Sequence, residues 1–393
     1  MILLLVFALI YALHSKTKIL PLKSRNNIIV CFIFAMITIV LFNLYVEYSV
    51  GWKYGVPYDD DSSWIFRAAE AMSEGSKWDV LYKLVSRDWD LTNRVLSLSN
   101  LGQYIYATII RFCLYSPVMF DLHINIYLVY LAQLLLLSIG VINVIIELSV
   151  YGRRYFNKIP AKSSLFYIIM FYPIVVFNAG KMMREALNIF CLLEVFYYFL
   201  VYVNSGKISK AFMLFSLLTL IIRPNSIVLI LPLCLYMYLG VKIALISNTV
   251  IFVILMVGTL IVNRIMAIVG WNYSFGEVNL IEMLHLFLFP NIINQFKDFI
   301  TIFSSPSWQT VLYFFQSLWN IPYIILMITG ILNNKNKSLT ILFITITINA
   351  LAMYSLIYDI DSFTPRYKLI YFIPQLYFVY TGMCYMKNKI RLR

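Results

Sequence analysis

The sequence predicts an all-α polytopic integral membrane protein, and three observations predict it. Of 393 residues, 62% are hydrophobic and only 12% charged, against about 45–50% apolar and about 25% charged in soluble domains. The mean hydropathy is +0.82. Apolar runs recur along the chain, most of them long enough for a helix to cross a hydrocarbon core of about 30 Å. This much apolar surface cannot be hidden inside one globule. A soluble enzyme, a nucleic-acid-binding module and a disordered chain are therefore excluded.

Eleven runs read as spans: 1–14, 27–49, 124–150, 164–180, 185–203, 211–222, 225–240, 243–262, 309–331, 338–357 and 367–385. The first is short. No charged segment precedes it and no small-x-small cleavage site follows, so it reads as an uncleaved span rather than a signal peptide. Runs 211–222 and 225–240 are separated by Arg223-Pro224, and read either as two tilted spans or as one interrupted helix. Two connecting segments are too long to be turns. In 50–123, Ser62-Ser63 caps an expected helix through Met72, and 99–117 places Leu101, Tyr104, Ile105, Thr108, Ile109 and Phe112 on one face. That helix is short and interrupted by Arg111, which suits the membrane interface better than a crossing. Segment 263–308 contains the apolar stretch Leu280 to Pro290, expected to dip into the bilayer. The whole, 1–393, reads as one membrane-embedded domain without internal repeats or a soluble domain at either end.

The net charge of +13 is a topology signal. Alternate connections carry Lys16, Lys18, Lys23 and Arg25; Arg153, Arg154, Lys158 and Lys162; Lys207 and Lys210; Lys242; Lys335 and Lys337; and Lys387, Lys389, Arg391 and Arg393, with no acid among them. The other side holds every acid except Glu147 and Glu194, which fall inside spans. Lys and Arg mark the cytoplasmic side, so the N-terminus is expected outside and the C-terminus inside. No nucleic-acid partner is implied. The five cysteines are scattered, four of them in apolar runs, with no metal or redox spacing.

Candidate chemistry concentrates on the outer side. Asp59, Asp60 and Asp61 stand together between Tyr58 and Ser62. Adjacent carboxylates repel one another, which favours a raised pKa or a bound cation. A surface carboxylate suits a general base for a hydroxyl acceptor, and its neighbours suit a divalent metal. An Asp-rich helix N-terminus, favoured by the helix dipole, is the equally weighted structural reading. The outer cations Lys181, Arg184, Arg223, Arg264, Arg366 and Lys368 run against the orientation bias. Arginine is suited to bidentate contact with phosphate, so the set fits a lipid-linked phosphate or pyrophosphate. Singly, each is better explained by snorkelling to headgroups. Glu194 lies mid-span, which makes it either a transport group or a helix–helix hydrogen-bonding residue. His123 and His285 are lone histidines. No P-loop, dinucleotide-binding, zincin or nucleophile-elbow motif is present.

Several stretches, in this order, resemble one family, the GT-C membrane glycosyltransferases. Asp60-Asp61-Ser62-Ser63-Trp64 through Met72 resembles the acidic motif that opens that family's first large outer loop. Tyr151-Gly152-Arg153-Arg154-Tyr155-Phe156, with Tyr172-Pro173 beyond, is similar to its cytoplasmic hairpin and next span. Lys181-Met182-Met183-Arg184-Glu185-Ala186-Leu187 resembles the start of the following span. Ile222-Arg223-Pro224-Asn225 and Pro365-Arg366-Tyr367, with Ile373-Pro374, resemble later breaks. The order covers most of 50–385. The chain departs from larger relatives in its short first span, in lacking a soluble C-terminal domain, and in carrying Leu101-Gly102-Gln103-Tyr104 where a His-Pro motif is expected.

The resemblance implies a GT-C-like fold of eleven transmembrane helices and an enzyme that takes sugar from a polyprenyl phosphate or pyrophosphate donor on the outer face of a bacterial cytoplasmic membrane. Asp61 or Asp60, with Asp59 beside them, would act as base or orient the acceptor. Lys181, Arg184, Arg223 and Arg366 would hold the donor phosphate. The compact chain suits surface-polysaccharide assembly, as a repeat-unit polymerase or as a single-sugar transferase working with other assembly proteins. No cofactor beyond a divalent cation is suggested. The rival reading is a transporter or flippase of lipid-linked sugars.

Overall fold

The structure, a computed structural model, describes residues 2–50, 65, 69–70, 101–114, 122–157, 159–181, 184–269, 280–288, 308–357 and 369–390. Among these residues the regular structure is entirely helical. In chain order the helices are α1 (Ile2–Thr17), α2 (Leu22–Val50), α3 (Leu101–Leu114), α4 (Leu122–Tyr155), α5 (Lys162–Met170), α6 (Pro173–Ala179), α7 (Glu185–Ser205), α8 (Lys210–Ile222), α9 (Ile227–Leu239), α10 (Val241–Val269), α11 (Leu280–Leu288), α12 (Trp308–Asn333), α13 (Lys337–Ile357) and α14 (Leu369–Ile390). Six described helices are long and apolar enough to cross a membrane, and four shorter apolar ones accompany them. In α14 the tyrosines and Gln375 lower the mean hydropathy, although its 22 residues are long enough for a crossing.

The side chains that face outward are those a bilayer accepts and water does not. Along α2, Phe34 is 59% and Leu41 61% exposed, and α8 and α10 present Leu214, Leu217, Ile246 and Ile254 in the same way. Outward apolar faces this extensive mark a surface meant for lipid or another apolar phase. Amides and hydroxyls are buried among the apolar side chains of the interior: Asn43, Ser138, Asn248 and Asn349 are all buried.

Helix boundaries follow the local chemistry. The expected span at 164–180 is two helices, α5 and α6, broken at Phe171-Tyr172, because Pro173 disfavours helical geometry in the residue before it. The break at Arg223-Pro224 is real, and a 3-10 turn at Pro224–Ser226 separates α8 from α9. Gly240, at φ 87°, lets the chain reverse between α9 and α10 where a side chain would be strained. The stretch near Leu280 forms α11.

The described residues fall into two compact units. One gathers Met1–Ile145, Lys162–Leu193 and Leu217–Pro224; the other gathers Ile146–Ala161, Glu194–Ser216 and Asn225–Arg393. In the first, α2 packs on α5 and α6, and α1 on α3. In the second, α12 packs most extensively on α14, and α13 on α9, α10, α11 and α14. Hydrogen bonds between apolar helices tie that unit together. Asn248 donates to Thr345 at 2.9 Å, and Asn349 donates to the Asn248 carbonyl at 3.0 Å. Tyr377 donates to Tyr151 at 2.5 Å, Tyr151 donates to Asn334 at 3.2 Å, and Asn334 donates to Thr340 at 2.9 Å. This network fixes the end of α4 against α14 and the α12–α13 turn. Glu147 accepts from Asn204 at 2.9 Å.

The α12–α14 contact is backbone against backbone. A Cβ on Gly330 would sit on the carbonyl oxygen of Phe378, and one on Gly382 on that of Leu326. Gly330→Ala is therefore expected to force the two helices apart and destabilise the fold by about 1–3 kcal/mol. Gly258, in α10, has only Ile254 of its own helix nearby, at 3.9 Å, and Gly258→Ala should leave stability unchanged or slightly raised. Thermal unfolding of both variants in detergent checks this, and equal melting of the two would refute the close crossing.

Candidate functional site

The buried polar cluster of the first unit is built where three chain breaks meet. At the first, α6 ends at Ala179, and the Gly180 carbonyl accepts a 3.1 Å hydrogen bond from Asn43 Nδ2 on α2. That approach needs glycine, since a Cβ at 180 would lie 2.9 Å from Ile39 Cγ2. At the second, α7 begins with Glu185, an acid in a first turn where the helix dipole favours it. At the third, Pro224 cannot continue α8. The chain stops at Arg223, whose N–H bonds to Thr219 at 2.8 Å, and the last carbonyls of α8 need partners from outside the helix.

The side chains meet those needs. Arg184 Nη1 donates to the Ile222 carbonyl at 3.3 Å, completing the end of α8. Arg223 Nη2 forms a short ion pair with Glu185 Oε1, and Arg184 Nε lies 3.9 Å from the same oxygen. Lys181 Nζ stands 5.8 Å from the centre of the Phe42 ring, over its face, on α2. Glu185 and Lys181 are wholly buried, and Arg184 and Arg223 are each 8% exposed. Three cations and one carboxylate so deep are a costly arrangement, and such groups are usually retained for a task rather than for stability.

Helix α3 adds a phenol. Gln133 on α4 donates to the Tyr106 hydroxyl. Burial, and then Cys113, Tyr130 and the Glu185 carboxylate, push that hydroxyl well above the ordinary tyrosine range, against the hydrogen bond from Gln133, which lowers it. Tyr106 therefore remains a neutral hydroxyl within electrostatic reach of Glu185. Asn188 lies three and four residues beyond Glu185 and Arg184 on α7, so the three side chains share a helix face. Asn188 is 1% exposed, and among the described residues neither its Nδ2 nor its Oδ1 has a hydrogen-bond partner.

Of the residues expected from the sequence, Lys181, Arg184 and Arg223 belong to one compact unit, and the two arginines converge on Glu185. Asp59, Asp60, Asp61 and Arg366 lie outside the described residues, as do His285's side chain and Lys368. Arg264 is exposed on α10, apart from the cluster's unit. Glu194 is buried, at 4% exposure. Among the described residues no group of three or more His, Cys, Asp or Glu could hold a metal. The residues not anticipated were Glu185 as the carboxylate shared by two arginines, and Asn43, Tyr106, Gln133 and Asn188. Their signal was available in part: a lone asparagine in a long apolar run, as at Asn43, costs free energy unless it is partnered.

The arrangement can bind an anion. Two guanidinium forks lie beside the N-terminus of α7, where the helix dipole carries partial positive charge, and an ammonium belongs to the same unit. No known family, characterised protein or solved structure matches the chain.

Proposed function

We propose that this chain is a GT-C-like membrane glycosyltransferase of eleven transmembrane helices. It would take a sugar or oligosaccharide from a polyprenyl phosphate or pyrophosphate donor on the outer face of a bacterial cytoplasmic membrane, in surface-polysaccharide assembly. The observation that carries the reading is the burial of Lys181, Arg184 and Arg223 in one compact unit, with both arginines on Glu185. That cluster stands at the helix ends that the charge distribution assigns to the outer side. Cations there oppose the positive-inside trend, and a phosphate headgroup supplies the reason for keeping them.

In the proposed reaction, Asp61 or Asp60 takes the proton of an acceptor hydroxyl, whose oxygen bonds to the anomeric carbon of the donor. The bond from that carbon to the phosphate oxygen breaks, and the electron pair leaves on the polyprenyl (pyro)phosphate, held by Arg184, Lys181, Arg223 and Arg366. Asp59 and a divalent cation would assist through charge. The transport alternative draws on buried Glu194 alone, whereas three of the cations occur together.

The test is glycan output in cells whose surface polysaccharide depends on this chain. Asp59→Asn, Asp60→Asn and Asp61→Asn are introduced singly, with protein level followed by immunoblot. Loss of the general base should reduce product by about 10²-fold or more in the Asp61 or Asp60 variant. Full product from all three variants would remove the catalytic role of this loop.

A further inference from the structure

We propose that Asn188 recognises the ligand of the cationic cluster, its carboxamide hydrogen-bonding a neutral hydroxyl one helical turn along α7 from Arg184. The inference rests on the reading of that cluster as the phosphate site of a sugar-bearing lipid, and adds the side chain that meets the sugar's hydroxyls.

Buried polar groups in folded proteins are hydrogen-bonded with few exceptions, and each exception asks for a cause. Asn188 is such an exception at both ends, Nδ2 and Oδ1. The backbone around it is regular, since its N–H bonds to the Arg184 carbonyl at 2.9 Å. The spare hydrogen-bonding capacity therefore belongs to the side chain alone. Spacing of three and four residues places that side chain beside those of Glu185 and Arg184, about 6 Å further along the helix axis than Arg184.

The chemistry of a carboxamide decides what it can recognise. Asn188 offers two N–H donors and an acceptor oxygen and carries no charge. A phosphate oxygen satisfies only the donors, whereas a hydroxyl donates to Oδ1 and accepts from Nδ2. Within the same unit Asn43 Oδ1 and Gln133 Oε1 are also buried acceptors without a partner among the described residues. Open acceptors in the unit that holds the cations suit a ligand that combines an anion with hydroxyl donors. A purely anionic ligand would leave them unsatisfied.

The experiment uses the full-length chain in lipid nanodiscs and measures binding of a polyisoprenyl monophosphate, of its glucosyl, galactosyl and mannosyl esters, and of the phosphate-free isoprenol. Asn188→Leu keeps the volume and removes the hydrogen bonds. It should weaken at least one hexosyl ester about tenfold, the value of one or two buried hydrogen bonds, and leave the unglycosylated phosphate within about twofold. Asn188→Ser, which keeps a hydroxyl, should show a smaller loss for the same ester and serves if the leucine variant does not fold. Unchanged binding of every ester would overturn the proposal and make Asn188 a residue satisfied by internal water. Equal losses for ester and bare phosphate would overturn it as well, since Asn188 would then support the cluster and not the sugar. If the native chain binds no phosphate better than isoprenol, the phosphate reading itself fails, and the Asn188 proposal falls with it.

Discussion

Arg223→Met should destabilise the protein by about 3–5 kcal/mol, the usual cost of removing one partner from a buried ion pair. Glu185 is wholly buried and its short contact is with Arg223, while Arg184 Nε stays 3.9 Å away. Without Arg223 the carboxylate keeps its desolvation cost and loses its nearest counter-charge. The companion variant separates this cause from general damage at the α8 terminus. Glu185→Gln combined with Arg223→Met removes both charges, and replacing a buried pair together is often close to neutral. The double variant should therefore recover most of the stability lost by the single one. Glycan output should stay low in both, because each lacks a cation of the proposed phosphate site. Denaturant unfolding in detergent, with product assayed in cells, checks the two together. Equal destabilisation of single and double variants would show that Arg223 matters for reasons other than the Glu185 charge.

Arg184→Gln should weaken polyisoprenyl monophosphate binding by about 10- to 100-fold, the range of one or two charge-assisted hydrogen bonds. Arg184→Lys should not restore it, because an ammonium cannot reproduce the planar fork that donates to Ile222 and is proposed to meet phosphate with its other edge. Lys181→Met should fall short of the arginine variant in effect, since a point charge contributes no bidentate geometry. Burial of the cluster limits salt screening, so affinity should change little with ionic strength. Titration in nanodiscs reads all of this. Native affinity in Arg184→Gln would eliminate the cluster as the donor-phosphate site.

Most of the helical layout was legible because hydrophobic length and charge segregation are local properties of the chain. Each apolar run described in the structure became helix, from Ile2–Thr17 through Lys337–Ile357, as burial of backbone polar groups in an apolar medium requires. The Arg223-Pro224 interruption was also legible, since proline restricts the residue before it whatever the surroundings. The division of 164–180 by Pro173 follows from the same rule, but continuous hydropathy across Phe171-Tyr172 hid it.

The site was legible only as a set of residue types. Lys181, Arg184 and Arg223 stood out because they fall in the connections that otherwise carry the acids. Nothing in the sequence paired Arg223 with a glutamate 38 residues earlier, or set Asn43 on the Gly180 carbonyl 137 residues later. Such partnerships depend on which helix faces turn toward one another. Nearly uniform apolar sequence conceals those faces, because lipid-facing and protein-facing leucines are chemically alike. By itself, the sequence determined an all-α chain for an apolar solvent, the segregation of its charges between alternate connections, and its candidate cations. Tertiary structure alone decided that two of those cations share one buried carboxylate and that Asn188, beside them, keeps unspent hydrogen-bonding capacity. Length and polarity act along the chain, whereas burial and pairing exist only once the helices have packed.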